Sequence, residues 1–307
     1  MKKMQLVFML MVMMILAACS MDAPGSSSEE EKGEDEKASG DYTIGFSIST
    51  LNNPFFVTLN EGAETKAQEL GATLTVVDAQ DNASKQASDV EDLIQQGVDL
   101  IMINPVDSEA VAAAVESANA ANIPVITVDR SAAGGEVVSH IASDNVAGGE
   151  MAAEHMISIV GEGAKVAELE GVPGSSAARE RGEGFNNVAD GTLDVVAKQT
   201  ANFNRAEGLS VMENLLQANP DITGVFAHND EMALGALEAI EASGKDIAVV
   251  GFDATDDAVK AVEDGRLDGT VAQKPGMIGE MAVEAAVQSL AGEEVEASIP
   301  VELELIK

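Results

Sequence analysis

From Asp41 onward, short apolar runs alternate with longer amphipathic stretches, and the alternation predicts an α/β fold with parallel sheets. The first half reads as the strand YTIGFSIS, the helix FVTLNEGAETKAQEL closed by Gly71, the strand TLTVVDA and the helix ASKQASDVEDLIQQ closed by Gly97. The strand DLIMINP, a helix over 108–122 and the strand PVITVDR follow. The second half repeats the design. AKVAELEG, LDVVAKQT, ITGVFAHND and IAVVGFD read as strands, separated by helices around ARERGEGFNNVAD, AEGLSVMENLLQAN and EMALGALEAIEASG. In each half one strand runs into Asn (Asn104, Asn229) and the next into Asp (Asp129, Asp253). Runs of this kind form parallel sheets covered by helices, and their duplication predicts two similar halves.

The first 40 residues break the pattern. MKKMQLVFMLMVMMILAAC places Lys2 and Lys3 before an apolar run from Leu6 to Leu16, then small residues and Cys19, which is the layout of an export signal. The run is short and wrongly flanked for a membrane span. Its LAAC ending resembles a bacterial lipobox, which implies that Cys19 becomes a lipidated N-terminus; an ordinary signal peptide with an incidental cysteine is the alternative. Cys19 is the only cysteine, so no internal disulfide forms. Residues 20–40, rich in Ser, Gly and acidic side chains, read as a flexible, self-repelling tether.

Charge narrows the partners. With 53 Asp and Glu against 17 Lys and Arg, the formal net charge is −36, and such a surface repels phosphate backbones, so no nucleic acid is expected. The acidity serves solubility, or a life in saline or alkaline surroundings. No metal-ligand cluster is evident: His140, His155 and His228 are scattered, and Asp78, Gln80 and Asn82 lack the glycine and spacing of a calcium loop. GEGAK at 161–165 precedes a strand and is no phosphate cradle, and no strand is followed by G-x-G-x-x-G. No cofactor and no catalytic residue are therefore assigned.

Ligands of open parallel sheets bind beyond the carboxyl ends of the strands. The polar and aromatic residues that follow strands are Asn53, Phe55, Phe56, Asp129 and Arg130 in the first half. Arg181, Phe203, Asn229, Asp253 and Gln273 follow strands in the second. Phe55 and Phe56 stand out in a chain with 8 Phe, 1 Tyr and no Trp. Carboxylates, guanidiniums and amides suit the hydroxyl rim of a sugar, and aromatic rings suit its C–H faces. The same residues have plainer readings: the two phenylalanines as core, Asp129 and Asp253 as strand ends or helix caps, Arg130 and Arg181 as partners of surface acids.

The segments STLNNPFFVTLNEGA, INPVDSEAV, ANIPVITVDR, VVSHIASDNVAGG, SSAARERGEGF, HNDEMALGAL and VVGFDAT, in this order, resemble the ribose-binding proteins of bacterial ABC transport systems. The resemblance spans Tyr42 to the C-terminus. It implies a type I periplasmic-binding-protein fold: two Rossmann-like lobes with parallel sheets, joined by a three-segment hinge. The lobes would be 41–143 plus 274–302 and 144–273 plus 303–307. It further implies that D-ribose or a similar monosaccharide is held by the ten residues above, with Phe56 and Phe203 sandwiching the ring. It departs from the family pattern at TANFNR, where ADFDR is commoner, and at His228, where a Gln is expected. The implied protein is a monomeric, extracytoplasmic receptor, tied to the cell membrane only by its lipid anchor, that serves an ABC transporter permease. The rivals are a receptor for allose, a galactose-like sugar or a quorum-signal furanose, a chemotaxis receptor, the sensor core of a repressor, or a sugar-converting enzyme. For the enzyme two free carboxylates are needed, and Arg130 and Arg181 are expected to hold Asp129 and Asp253 ionised.

Overall fold

The computed structural model describes residues 42–307; the signal segment, Cys19 and the acidic tether lie outside the described residues. Two six-stranded sheets organise the chain. The first contains β1 (Thr43–Ile48), β2 (Thr73–Asp78), β3 (Leu100–Ile103), β4 (Val125–Val128), β5 (Ser139–Ser143) and β11 (Ser298–Val301), in the order β11-β5-β4-β3-β1-β2. The second contains β6 (Lys165–Glu170), β7 (Asp194–Thr200), β8 (Gly224–Ala227), β9 (Ala248–Asp253), β10 (Gly269–Ala272) and β12 (Glu304–Ile306), in the order β12-β10-β9-β8-β6-β7. The orders are equivalent, and all pairings are parallel except β10 with β12.

Helices α1 (Pro54–Leu70), α2 (Ala83–Gln96), α3 (Ala112–Ala120) and α9 (Pro275–Leu290) cover the first sheet. Helices α4 (Asn145–Val160), α5 (Ser176–Ala189), α6 (Arg205–Ala218), α7 (Asp230–Ser243) and α8 (Asp256–Glu263) go with the second. The chain passes from one sheet to the other after β5, after β10 and between β11 and β12.

Local chemistry explains the boundaries. Asn53 caps α1 by accepting the Phe55 N–H (3.0 Å), Pro54 fills the first turn, and Gly71 ends the helix at φ 73°. Asn82 and Gly97 (φ 71°) bracket α2 in the same way. The helix expected over 108–122 begins only at Ala112. The Asp107 carboxylate captures the N–H groups of Glu109 and Ala110 (2.9 and 2.8 Å) and holds those residues in a turn.

Both faces of each sheet are buried. On β3, Leu100 and Met102 enter the core beneath α1 and α9, while Ile101 and Ile103 enter the core beneath α2 and α3. That is the two-sided burial a parallel sheet requires. The α1–α9 and α4–α5 pairs pack backbone against backbone; a Cβ on Gly279 would collide with the Leu59 carbonyl, and one on Gly184 with the Val146 carbonyl.

Candidate functional site

The carboxyl ends of both sheets contribute to one cavity. Asn53, Phe55, Phe56, Asp129 and Arg130 line it from the first sheet, and Ala177, Arg181, Phe203, Asn229 and Asp253 from the second. Nine of the ten residues selected from the sequence therefore meet. Gln273, the tenth, lines the adjoining cavity with Phe55 and Asp253 and donates from Nε2 to Asp253 Oδ1 (2.8 Å). The equivalent strand orders bring this about: Asp129 follows β4 as Asp253 ends β9, and Asn104 follows β3 as His228 and Asn229 follow β8. Asn53 and Asn229 are the N-caps of α1 and α7, so two helix N-termini, each with partial positive charge, end at the cavity.

The aromatic residues have both roles open to them. Phe55 and Phe56 are buried in the first core, meet edge to face (centroids 5.1 Å apart), and also line the cavity. The Phe203 ring is partly buried against the second core. The Arg130 guanidinium carbon lies 5.0 Å from the Phe56 ring and 5.3 Å from the Phe203 ring; that of Arg181 lies 3.9 Å from Phe252 and 5.8 Å from Phe203. These are cation–π distances, worth about 2 kcal/mol where water is excluded.

Hydrogen bonds hold the polar groups from behind and leave cavity-side capacity open. Arg130 Nη1 donates to the Pro105 carbonyl (3.1 Å), and its Nε is 3.7 Å from Asp129 Oδ2. Arg181 Nε donates to Asn145 Oδ1 (2.9 Å) and Nη1 to the His228 carbonyl (2.6 Å), 3.6 Å from Asp253 Oδ1. Asp129 Oδ1, Arg130 Nε and Gln273 Oε1 are buried and find no hydrogen-bond partner among the described residues. Each such atom costs about 1–3 kcal/mol until something polar meets it.

The backbone is strained at the same place. Asp129 (φ 63°), Phe203 (φ 57°) and Asp253 (φ 119°) all occupy the left-handed side, as do Asn202 and Ala254 beside them. Non-glycine residues adopt such angles at a cost of about 1–3 kcal/mol, and they gather where a side chain must be aimed.

At both carboxyls burial works against the arginines. Burial pushes the Asp129 carboxyl up, and the attraction of Arg130 and Arg181 does not offset it. Burial likewise pushes Asp253 well above the ordinary carboxylate range, against Arg181 and assisted by the neighbouring Asp230. A carboxylate accepting few hydrogen bonds in a closed cavity loses more by leaving water than one nearby guanidinium restores.

Four contributing residues lay outside the sequence-based selection. Asn104 donates to the Val128 carbonyl (2.9 Å) and Asp129 Oδ2 (3.4 Å) and accepts the Ser49 N–H (3.2 Å), joining three strand ends. Asp230 accepts from Thr270 Oγ1 (2.7 Å) and from the Thr255 N–H (2.7 Å), fixing the turn after Asp253; burial raises its pKa to about 7. Glu168 and Asn145 reach the site through His228 and Arg181. Asn104 and Asp230 end strands in the sequence and were findable on that signal; Glu168, inside a strand, was not. Among the described residues no group of three or more His, Cys, Asp or Glu is placed to hold a metal ion, and no helix is long and apolar enough to cross a membrane.

Comparison with known proteins places the fold in a family. The family described as periplasmic binding protein domain matches residues 44–294. The ribose import binding protein RbsB of Bacillus subtilis is 56% identical over 99% of this chain and 99% of its own length. That of Escherichia coli is 56% identical over 86% of this chain and 90% of its own. Among solved structures, an ABC transporter solute binding protein from Bacillus halodurans with bound myo-inositol superposes with TM-score 0.83 at 35% identity, covering 88% of this chain and 96% of that one. One from Actinobacillus succinogenes with bound D-allose superposes with TM-score 0.81 at 31% identity, covering 87% and 97%.

Proposed function

The chain belongs to the periplasmic binding protein family, and from that premise we propose that it is the D-ribose receptor of an ABC importer, holding the sugar between its two sheets. One observation carries the reading. Two acids, two arginines and three phenylalanines, contributed by both sheets, converge on one cavity, where Asp129 Oδ1 and Arg130 Nε have no hydrogen-bond partner among the described residues. A pyranose offers what they lack: hydroxyls that donate to Asp129 and Asp253 and accept from Arg130 and Arg181, and C–H faces for Phe56 and Phe203.

The two sheets with their helices act as lobes, and the three passages between them act as the hinge. The cavity measures about 10 Å³, roughly the room one water needs, so a sugar enters by parting the lobes. Closure is then favoured by contacts from both sides. Beside the cavity the Ser108 N–H donates to the Gly174 carbonyl (2.9 Å) and the Ser131 N–H to Ser176 Oγ (2.9 Å), bonds that exist only when the lobes meet. A micromolar site corresponds to about −8 kcal/mol, within reach of several charge-assisted hydrogen bonds and two stacked rings. The closed form is what a membrane permease would recognise, and lipidation at Cys19 would keep a monomeric receptor at the outer face of the membrane.

Isothermal titration against a panel of pentoses, hexoses and polyols tests the assignment. D-ribose is expected to bind most tightly; heat with another member of the panel and none with ribose would replace it. The panel includes allose and myo-inositol, which relatives at 31–35% identity hold.

A further inference from the structure

Behind the cavity lies a buried acid–imidazole pair. Glu168, on β6, is fully buried; its carboxylate accepts from His228 Nε2 (2.8 Å) and Asn186 Nδ2 (3.0 Å), and the half-exposed Lys198 ammonium of β7 stands 3.3 Å away. Burial pushes this carboxyl up, but the hydrogen bond from His228, with help from Asn186 and the Lys198 ammonium, outweighs it and holds it below its ordinary value. The other ring nitrogen, His228 Nδ1, faces the Gly171 N–H at 3.3 Å. An N–H pointing at Nδ1 requires that nitrogen to be the acceptor, so the proton sits on Nε2 and is given to Glu168.

Two connections run from His228 to the cavity. Its carbonyl accepts from Arg181 Nη1 at 2.6 Å, which aims the guanidinium at Asp253. Its ring fixes Gly171, and the Phe203 ring lies directly over that residue: a Cβ at 171 would come within 2.5 Å of three ring atoms. The place of Gly171 therefore decides the place of the ring.

We propose that Glu168 and His228 form a positioning pair that sets sugar affinity by fixing Arg181 and Phe203, without touching the sugar. The proposal rests on the sugar-binding reading above. Its chemical content is one acceptor toward Gly171 and one donor toward Glu168. A glutamine side chain at 228 supplies both; a leucine supplies neither while retaining bulk.

Titration of D-ribose into unaltered protein, His228→Gln and His228→Leu tests this, with circular dichroism to verify folding. His228→Gln is expected to bind within about threefold of the unaltered protein, and His228→Leu about tenfold or more weakly. Equal affinity of His228→Leu and unaltered protein, or a His228→Gln as weak as His228→Leu, overturns the proposal. Nitrogen-15 NMR of the imidazoles, with His228 assigned by its loss in His228→Gln, stands independently of ribose and of whether the leucine variant folds. A proton on Nε2 and none on Nδ1 is expected, and a protonated Nδ1 overturns the pair. Absence of ribose binding by the unaltered protein would instead remove the sugar-binding reading, leaving the NMR result to decide the pair.

Discussion

Replacing Gly171 by alanine is the sharpest perturbation the site offers, because it adds a single methyl group and removes no polar contact. A Cβ there would sit within 2.5 Å of Cζ, Cε1 and Cε2 of Phe203, whereas ordinary carbon contacts begin near 3.4 Å. The ring has to retreat by roughly 1 Å. It can retreat only into the spaces it lines, the small cavity of about 10 Å³ or the adjoining one of about 290 Å³, and either way it leaves its place beside the Arg130 guanidinium, 5.3 Å from its centroid. Backbone adjustment is also opposed, since Phe203 is already at φ 57° and the Gly171 N–H is tied to His228. A displaced ring loses most of its stacking on the sugar, about 0.5–1.5 kcal/mol, and overpacking adds about 1–3 kcal/mol to closure. Ribose affinity is expected to fall from about tenfold to about a thousandfold, with folding and circular dichroism unchanged. Isothermal titration reads this directly. Undiminished affinity would mean that Phe203 does not contact the sugar, and the account of its position would have to be abandoned.

Three further outcomes are expected. Phe203→Ala should weaken ribose binding at least about tenfold while the fold is retained, as titration and thermal melting would report. Ribose affinity should fall as pH is lowered. In the closed form burial raises Asp129 and Asp253, while sugar hydroxyls donating to them need the charged form, so a protonated carboxyl holds the sugar less well; titration across pH 8 to 5 would show the loss, and a flat profile would contradict it. The unliganded protein should become more stable as pH falls from about 8 toward 6. Asp230, at about 7 when folded against 3.8 ordinarily, binds its proton more tightly in the folded state, so its unfavourable contribution is fully present above that value and fades below it. Denaturant melts of unaltered protein and Asp230→Asn would show the slope and its reduction.

Much of this arrangement was readable from residues alone, and the reasons are local. Asn53 with Pro54, Gly71 and Gly97 are strong punctuation, and each is found at a helix end. The strands with continuous apolar runs, such as LIMI and VITV, are central and buried on both faces. β5 (SHIAS), β10 (GTVA), β11 (SIPV) and β12 (ELI) went unread, because short strands toward one side of a sheet carry polar residues, glycine or proline and lack a period. Candidate residues following strands proved to share a cavity because topology, not spacing, assembles them. The direction of the carboxyl shifts was not legible for the same reason. Adjacent arginines are visible in a sequence, but the depth of burial of Asp129 and Asp253 is not. The Glu168–His228 pair spans 60 positions and has no sequence signal beyond the unexpected histidine.

A crystal structure with D-ribose tests the central claim most directly. The sugar is predicted between Phe56 and Phe203, with hydroxyls hydrogen-bonded to Asp129 and Arg130 on one side and Arg181 and Asp253 on the other. Ribose bound elsewhere, or held by side chains of one sheet only, would contradict it.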